Sequence, residues 1–250
     1  MSLEPGDAGR EPARGRRRPL ILAGILGATL LAGDPRLSAQ DSRPPVSDST
    51  ATPLLDRAAR AYASARSVRA QFEQTLTNPN TKSSHVSRGE FFQGGPMRFA
   101  FRFTEPAGDA IVSDGTALWV YLPSTAKGQV LKLSSEAGHA FDFLTELLTA
   151  PSEHYIVRTL PDTTVGSHDV SVYALTPKEA AAPFTRSTLW VGRADALLWM
   201  MEAVEQGGLV RRVQFSAIRT NVELPKGALS FVVQDGVQVI DQAALFRGRP

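Results

Sequence analysis

The spacing of apolar residues predicts a mainly β fold, a single large antiparallel sheet that curls into an incomplete barrel around short helices. About ten segments alternate apolar and polar side chains with the period of two that half-buried strands require. Turn residues, rather than helices, separate most of these segments, which favours antiparallel neighbours because parallel strands need long crossovers. Only two stretches have helical spacing. They are too few to cover one face of a flat sheet of that size, and large twisted sheets tend to curl.

Taken in order, the chain begins with Arg14, Arg16, Arg17 and Arg18 before an apolar run from Leu20 to Leu31. That run is shorter than the ~20 apolar residues of a membrane span, and Gly33, Pro35, Leu37 and Ser38 lead from it to the small residue Ala39. Residues 1–39 therefore read as an export signal cleaved near Ala39, by the general secretory or the twin-arginine route. Residues 40–53 are rich in Ser, Pro and Asp and read as a disordered linker, residues 54–242 as the folded domain and residues 243–250 as a tail.

Thr52 and Pro53 form a helix start, and Leu55, Ala58, Ala59, Tyr62 and Ala65 share a helical face. From Val68 the period becomes two, with Ala70, Phe72 and Leu76 on one side of a first strand. A second strand is expected around Val86–Phe92, and Gly94, Gly95 and Pro96 turn into a third. In that third strand Met97, Phe99, Phe101 and Phe103 lie on one side, with Arg98, Ala100, Arg102 and Thr104 on the other. Asp114 and Gly115 mark a hairpin before Ala117–Leu122, where Trp119 and Tyr121 share a face. After Val130–Leu133, the region Ala137–Thr149 has helical spacing and ends at Pro151. Further strands are expected at 155–160, 169–176, 185–191, 197–205 and 209–218, with a last short one near Leu229–Val233.

The whole chain holds 27 basic and 25 acidic residues, and removal of the export signal leaves 21 of each. A neutral mature chain gives no reason to expect nucleic acid or an anionic surface as partner. Cysteine is absent, so the domain is expected to rest on its apolar core, without a lipid anchor on an N-terminal cysteine, and to be released after export as a soluble protein, expected to be a monomer.

Catalytic signatures are missing. His85, His139, His154 and His168 lack metal-ligand spacing, and no nucleophile elbow or phosphate-binding loop occurs, so no cofactor, metal or catalytic residue is expected. His168 beside Asp169 reads as a solvated turn. The aromatic stripe reads either as ordinary core or as the lining of an apolar cavity.

Segment order adds a further indication. Leu54–Leu55, Val68–Gln74, GPMRFAFRFTEP at 95–106, IVSDGTALWVYLP at 111–123 and Leu189–Met201 together resemble the lipoprotein carrier family LolA. The resemblance implies helices that act as a lid over an apolar cavity for acyl chains. It also implies acylated lipoproteins as cargo, received from an inner-membrane lipoprotein-releasing ABC transporter and passed, where one exists, to an outer-membrane receptor lipoprotein. Phe99 and Phe101 match family aromatics that point into the cavity. Phe72, Phe91, Met97, Phe103, Trp119, Tyr121, Trp199 and Met201 are the further candidates for its lining. Where family members carry an arginine that holds the lid, this chain has Gly95, so Arg98 or Arg102 is expected to supply the contact. A glutamate at Phe99 is then expected to spare the fold and impair uptake. A lipid-sensing regulator with a similar half-barrel and a hydrolase with scattered catalytic residues remain the alternatives.

Overall fold

Twelve strands form one sheet in the computed structural model, which describes residues 53–242 apart from 141 and 181. The expected export signal, the linker up to residue 52 and the tail lie outside the described residues. The strands are β1 (Val68–Asn78), β2 (Ser83–Gln93), β3 (Arg98–Glu105), β4 (Ala110–Asp114), β5 (Ala117–Tyr121), β6 (Gln129–Ser134), β7 (Tyr155–Val165), β8 (His168–Pro177), β9 (Phe184–Gly192), β10 (Leu198–Glu205), β11 (Val210–Thr220) and β12 (Gln238–Asp241). The spatial order is β12-β6-β5-β4-β3-β2-β1-β11-β10-β9-β8-β7. Two meanders, β1–β6 and β7–β11, are joined by the antiparallel pairing of β1 with β11, which puts the first strand in the middle of the sheet.

Helix α1 (Pro53–Ser64) starts with proline at its first position, where the missing N–H costs nothing. The second helical region is not one helix. It divides into a 3-10 turn (Ser135–Ala140), α2 (Phe143–Leu148) and the one-turn α3 (Pro151–His154). Ala150 in the left-handed region, φ 42°, separates the last two, and Pro151 opens α3 instead of only ending the helix before it.

Alternation along the strands sorts side chains onto two faces. On the inner face, Val68, Ala70, Phe72, Phe91, Phe99, Phe101, Met201 and Phe215 join Leu55 and Ala58 of α1 and Leu144, Leu147 and Leu148 of α2 in one buried cluster. Both halves of the sheet contribute to it, so the open, curved sheet and its helices share a single core. The face opposite carries two smaller clusters. One unites Phe92, Ala100 and Val112 with Leu224, Leu229 and Phe231, and the other unites Val165, Val170, Val172 and Trp199.

The segment Leu229–Val233, expected as a strand, instead crosses the outer face of β2–β5 without strand structure. Its neighbourhood supplies the reason. Arg102 donates to the carbonyls of Gly227, Ala228 and Ser230 at 2.9, 3.1 and 2.8 Å, and Phe231 stacks on Trp119 with centroids 5.5 Å apart. Side-chain donors and ring packing thus take the place of ladder bonds. The last strand is β12, paired parallel with β6. Where β2 meets β3, only glycine fits at position 89, because a Cβ there would lie 2.1 Å from the Arg102 carbonyl oxygen.

Candidate functional site

The aromatic stripe of β3 is built into a layer. Phe101 meets Phe72 edge-on at 5.2 Å and Phe91 at 4.8 Å, Phe72 meets Phe103 at 5.2 Å, and Phe91 reaches Phe215 at 5.6 Å. Above it, the space bounded by Val68, Ala70, Phe91, Leu144 and Phe215 holds no room for a water molecule. The inner aromatics therefore form a packed floor.

Open space lies higher, between the helices. A groove of about 430 Å³ runs between Asp56, Ala59, Arg60 and Ala63 of α1 and Leu144, Leu148 and Pro151 on the other side, with Val68 and Gln93 below and Gly95 and Pro96 at one end. This volume falls in the range of ~300–1,000 Å³ usual for small-molecule sites.

Both walls are fixed by polar contacts. Arg57 of α1 donates to the Arg193 carbonyl at 2.7 Å, and the Tyr62 hydroxyl accepts the Leu198 N–H at 3.1 Å. Burial of that hydroxyl, only partly offset by the Leu198 hydrogen bond, pushes its pKa up. Across the groove, Asp142 caps α2 by accepting the Thr145 N–H at 3.2 Å. The same carboxylate accepts Gln93 Nε2 at 3.1 Å and the Met97 N–H at 3.0 Å. Tyr155 places its hydroxyl 3.0 Å from the Glu146 carbonyl and 3.1 Å from its carboxylate, and burial together with that negative charge raises the tyrosine pKa.

Of the residues expected to line a cavity, the structure brings together Phe72, Phe91, Phe99, Phe101 and Met201, with Phe103 packed against them at partial burial. Met97 sits in the turn before β3, its φ at 59° and its methyl beside Gly138. Three expected lining residues lie elsewhere. Trp119 and Tyr121 point to the outer face against Phe231, because Leu118 and Val120 occupy the inner positions of β5. Trp199 belongs to the outer cluster of β8, stacked on His168 at 3.5 Å, because the register of β10 shifts between Leu198 and Met200.

The two arginines expected to hold the lid do not reach it. Arg102 is committed to the carbonyls of residues 227–230, and Arg98 is exposed with its stem against Gly115. Gly95 has φ 110°, a conformation unfavourable for a side-chain-bearing residue, and its contribution to the groove is bare backbone. The polar contact between helix and turn is made from the helix side, by Asp142. Sequence reasoning missed Asp142, Gln93 and the groove face of α1. An aspartate immediately before Phe143–Leu148 is a cap signal that could have found the first of them.

Among the described residues no group of three or more His, Cys, Asp or Glu side chains gathers around a common point, and no helix is long and apolar enough to cross a membrane. The motif VSDG...LWVY has a structural role in the hairpin. Asp114 accepts the N–H groups of Thr116 and Ala117 at 2.8 and 2.9 Å and Trp119 Nε1 at 3.0 Å. Partial burial alone would raise its pKa, but these bonds and the Thr116 hydroxyl bring it down to about 2.

Comparison with known proteins places this geometry in context. Residues 63–232 match the family model of the outer membrane lipoprotein carrier protein LolA. An outer-membrane lipoprotein carrier protein of Methylibium petroleiphilum is 28% identical over 176 residues, covering 70% of this chain and 82% of the relative. One from Chromobacterium violaceum is 28% identical over 180 residues, covering 70% and 81%. Among solved structures, a LolA superfamily protein of Nitrosomonas europaea aligns with a TM-score of 0.38 at 16% identity, over 71% of this chain and 96% of that one. With the family match spanning most of the described residues, the chain belongs to the LolA family of outer-membrane lipoprotein carrier proteins.

Proposed function

We propose that the mature protein works in the periplasm as a carrier that takes the acyl chains of lipoproteins into the groove between α1 and α2, above the aromatic floor. It receives them from an inner-membrane lipoprotein-releasing ABC transporter and delivers them to the outer membrane, to a receptor lipoprotein where one exists. The observation that carries this reading is the groove of about 430 Å³ bounded by α1 and α2, with Val68, Leu144 and Leu148 of the buried apolar cluster in its lining. Each buried methylene is worth ~0.8 kcal/mol, so acyl chains in water carry a large hydration cost that such a site relieves. No chemical step is needed for this work.

Native mass spectrometry of the mature protein, incubated with a triacylated lipopeptide or with the same peptide lacking its acyl chains, tests the reading. A complex with the acylated form alone is expected. Absence of any complex, or equal binding of the bare peptide, would overturn it.

A further inference from the structure

Helix α1 carries Arg57 and Arg60 one turn apart, and the fold uses only the first of them. Arg57 donates to the Arg193 carbonyl at 2.7 Å and so helps to fasten the helix to the β9–β10 turn. Arg60 is exposed, lines the groove, and is engaged by no hydrogen bond or ion pair among the described residues. Asp56 stands four residues before it, in the order that favours a helical ion pair, yet the two do not bridge.

Among the described residues Arg60 is also the single cation in the lining of the groove, and Asp56 the single anion. Two of the neutral polar side chains there are already committed. Tyr62 uses its hydroxyl to accept the Leu198 N–H, and Gln93 gives its amide to Asp142 and Thr145. Val68, Leu144 and Leu148 bring the apolar surface of the buried cluster into the same lining. The groove is therefore an apolar trough with one unused guanidinium on its lip.

Such a trough fits an amphiphile with one long apolar chain and one anionic end. Liquid water takes ~30 Å³ per molecule and a methylene is of similar size, so about 430 Å³ houses roughly fourteen methylenes, a single acyl chain of ordinary length. A two-chain lipid would leave about half of its methylenes in water. At the lip, a guanidinium presents its N–H groups as a fork that matches a carboxylate, and pairing there buries neither charge. The acylated end of a lipoprotein is built from ester, thioether and amide groups and brings no anion to that position.

We propose that the groove also binds a long-chain fatty acid, its chain along Val68, Leu144 and Leu148 and its carboxylate against the Arg60 guanidinium. This ligand goes beyond the carrier reading and does not depend on it. Where the carrier reading holds, free fatty acid competes with lipoprotein acyl chains for the same apolar surface.

Titration calorimetry of the mature protein tests this with ligands that share one chain and differ in head charge: myristate, its neutral monoglyceride and the tetradecyltrimethylammonium cation, each kept below its micelle concentration. Myristate should bind about threefold to fivefold more tightly than the monoglyceride, the upper range for an exposed ion pair, and the cation should bind most weakly. Added salt should remove most of that difference. Arg60→Gln should weaken myristate by the same factor and leave the monoglyceride unchanged, whereas Arg60→Lys, which keeps the charge, should retain most of the affinity. Asp56→Asn should tighten myristate and loosen the cation. Equal affinity for the three head groups, myristate binding indifferent to Arg60→Gln, or no binding of myristate to wild type would each overturn the inference. A triacylated lipopeptide that binds where myristate does not leaves the carrier reading standing, and failure of the lipopeptide alone removes that reading but not this one.

Discussion

The ring of Phe72 meets that of Phe101 edge-on at 5.2 Å, across β2, which lies between their two strands. This contact makes the inner aromatics a load-sharing layer. Phe101→Ala should lower stability by about 3–5 kcal/mol, as large-to-small changes of buried phenylalanines do. Phe99 is fully buried, so Phe99→Glu, which the sequence led us to expect as a well-folded variant impaired in uptake, should instead lose the fold, because it places an unpaired charge in the core. Urea unfolding followed by circular dichroism measures both. A Phe99→Glu protein with wild-type unfolding behaviour would show that the floor is looser than its packing indicates.

Groove residues should behave in the opposite way. Ala59 lines the groove from α1 and is half-buried, so Ala59→Trp puts a large ring into the space proposed for acyl chains. Uptake of a fluorescent acylated probe should fall at least about tenfold, with the Tm within about 2 °C of wild type, the range of most surface substitutions. Unchanged uptake would move the acyl site away from this groove.

The contrast shows what local spacing carries. Phe99, Ala100 and Phe101 alternate in sequence as they do between the two clusters, so the period-two pattern identified β3 and its faces. The same pattern identified β5 but not which of its faces is inside. Trp119 and Tyr121 were the natural choice for an inner lining by size, yet β4 and β6 fix β5 with Leu118 inward, and a segment more than a hundred residues further along covers the outer pair. Side-chain periodicity contains no such long-range information. The contact between Gln93 and Asp142 is hidden for the same reason, since the two meet only through the fold.

Arg102 fastens that covering segment. Its guanidinium is partly buried, which pushes its pKa down, and it donates to three carbonyls of residues 227–230. Arg102→Met should cost about 1–3 kcal/mol and free the segment, since bonds to a charged group are lost and the carbonyls must find water. Trp119 would lose its Phe231 cover, and tryptophan emission should shift to the red. Emission and exchange of residues 224–233 unchanged from wild type would mean that ring packing alone holds the segment.

Asp114 gives the hairpin a pH dependence of definite sign. Its carboxylate is held at about 2 against an ordinary 3.8, so the folded state favours the ionised form. The stability this contributes is fully present above the unfolded value and is lost as pH falls through the folded one, between about pH 4 and pH 2. Asp114→Ala should therefore lower the Tm most near neutrality, and the gap to wild type should narrow across that window as the wild-type carboxylate is protonated. Because the group is partly exposed, the narrowing will be modest. Thermal melts of the two proteins in matched buffers measure it. A gap that stays constant down to about pH 2 would show that the turn is held by shape alone and not by the charge on Asp114.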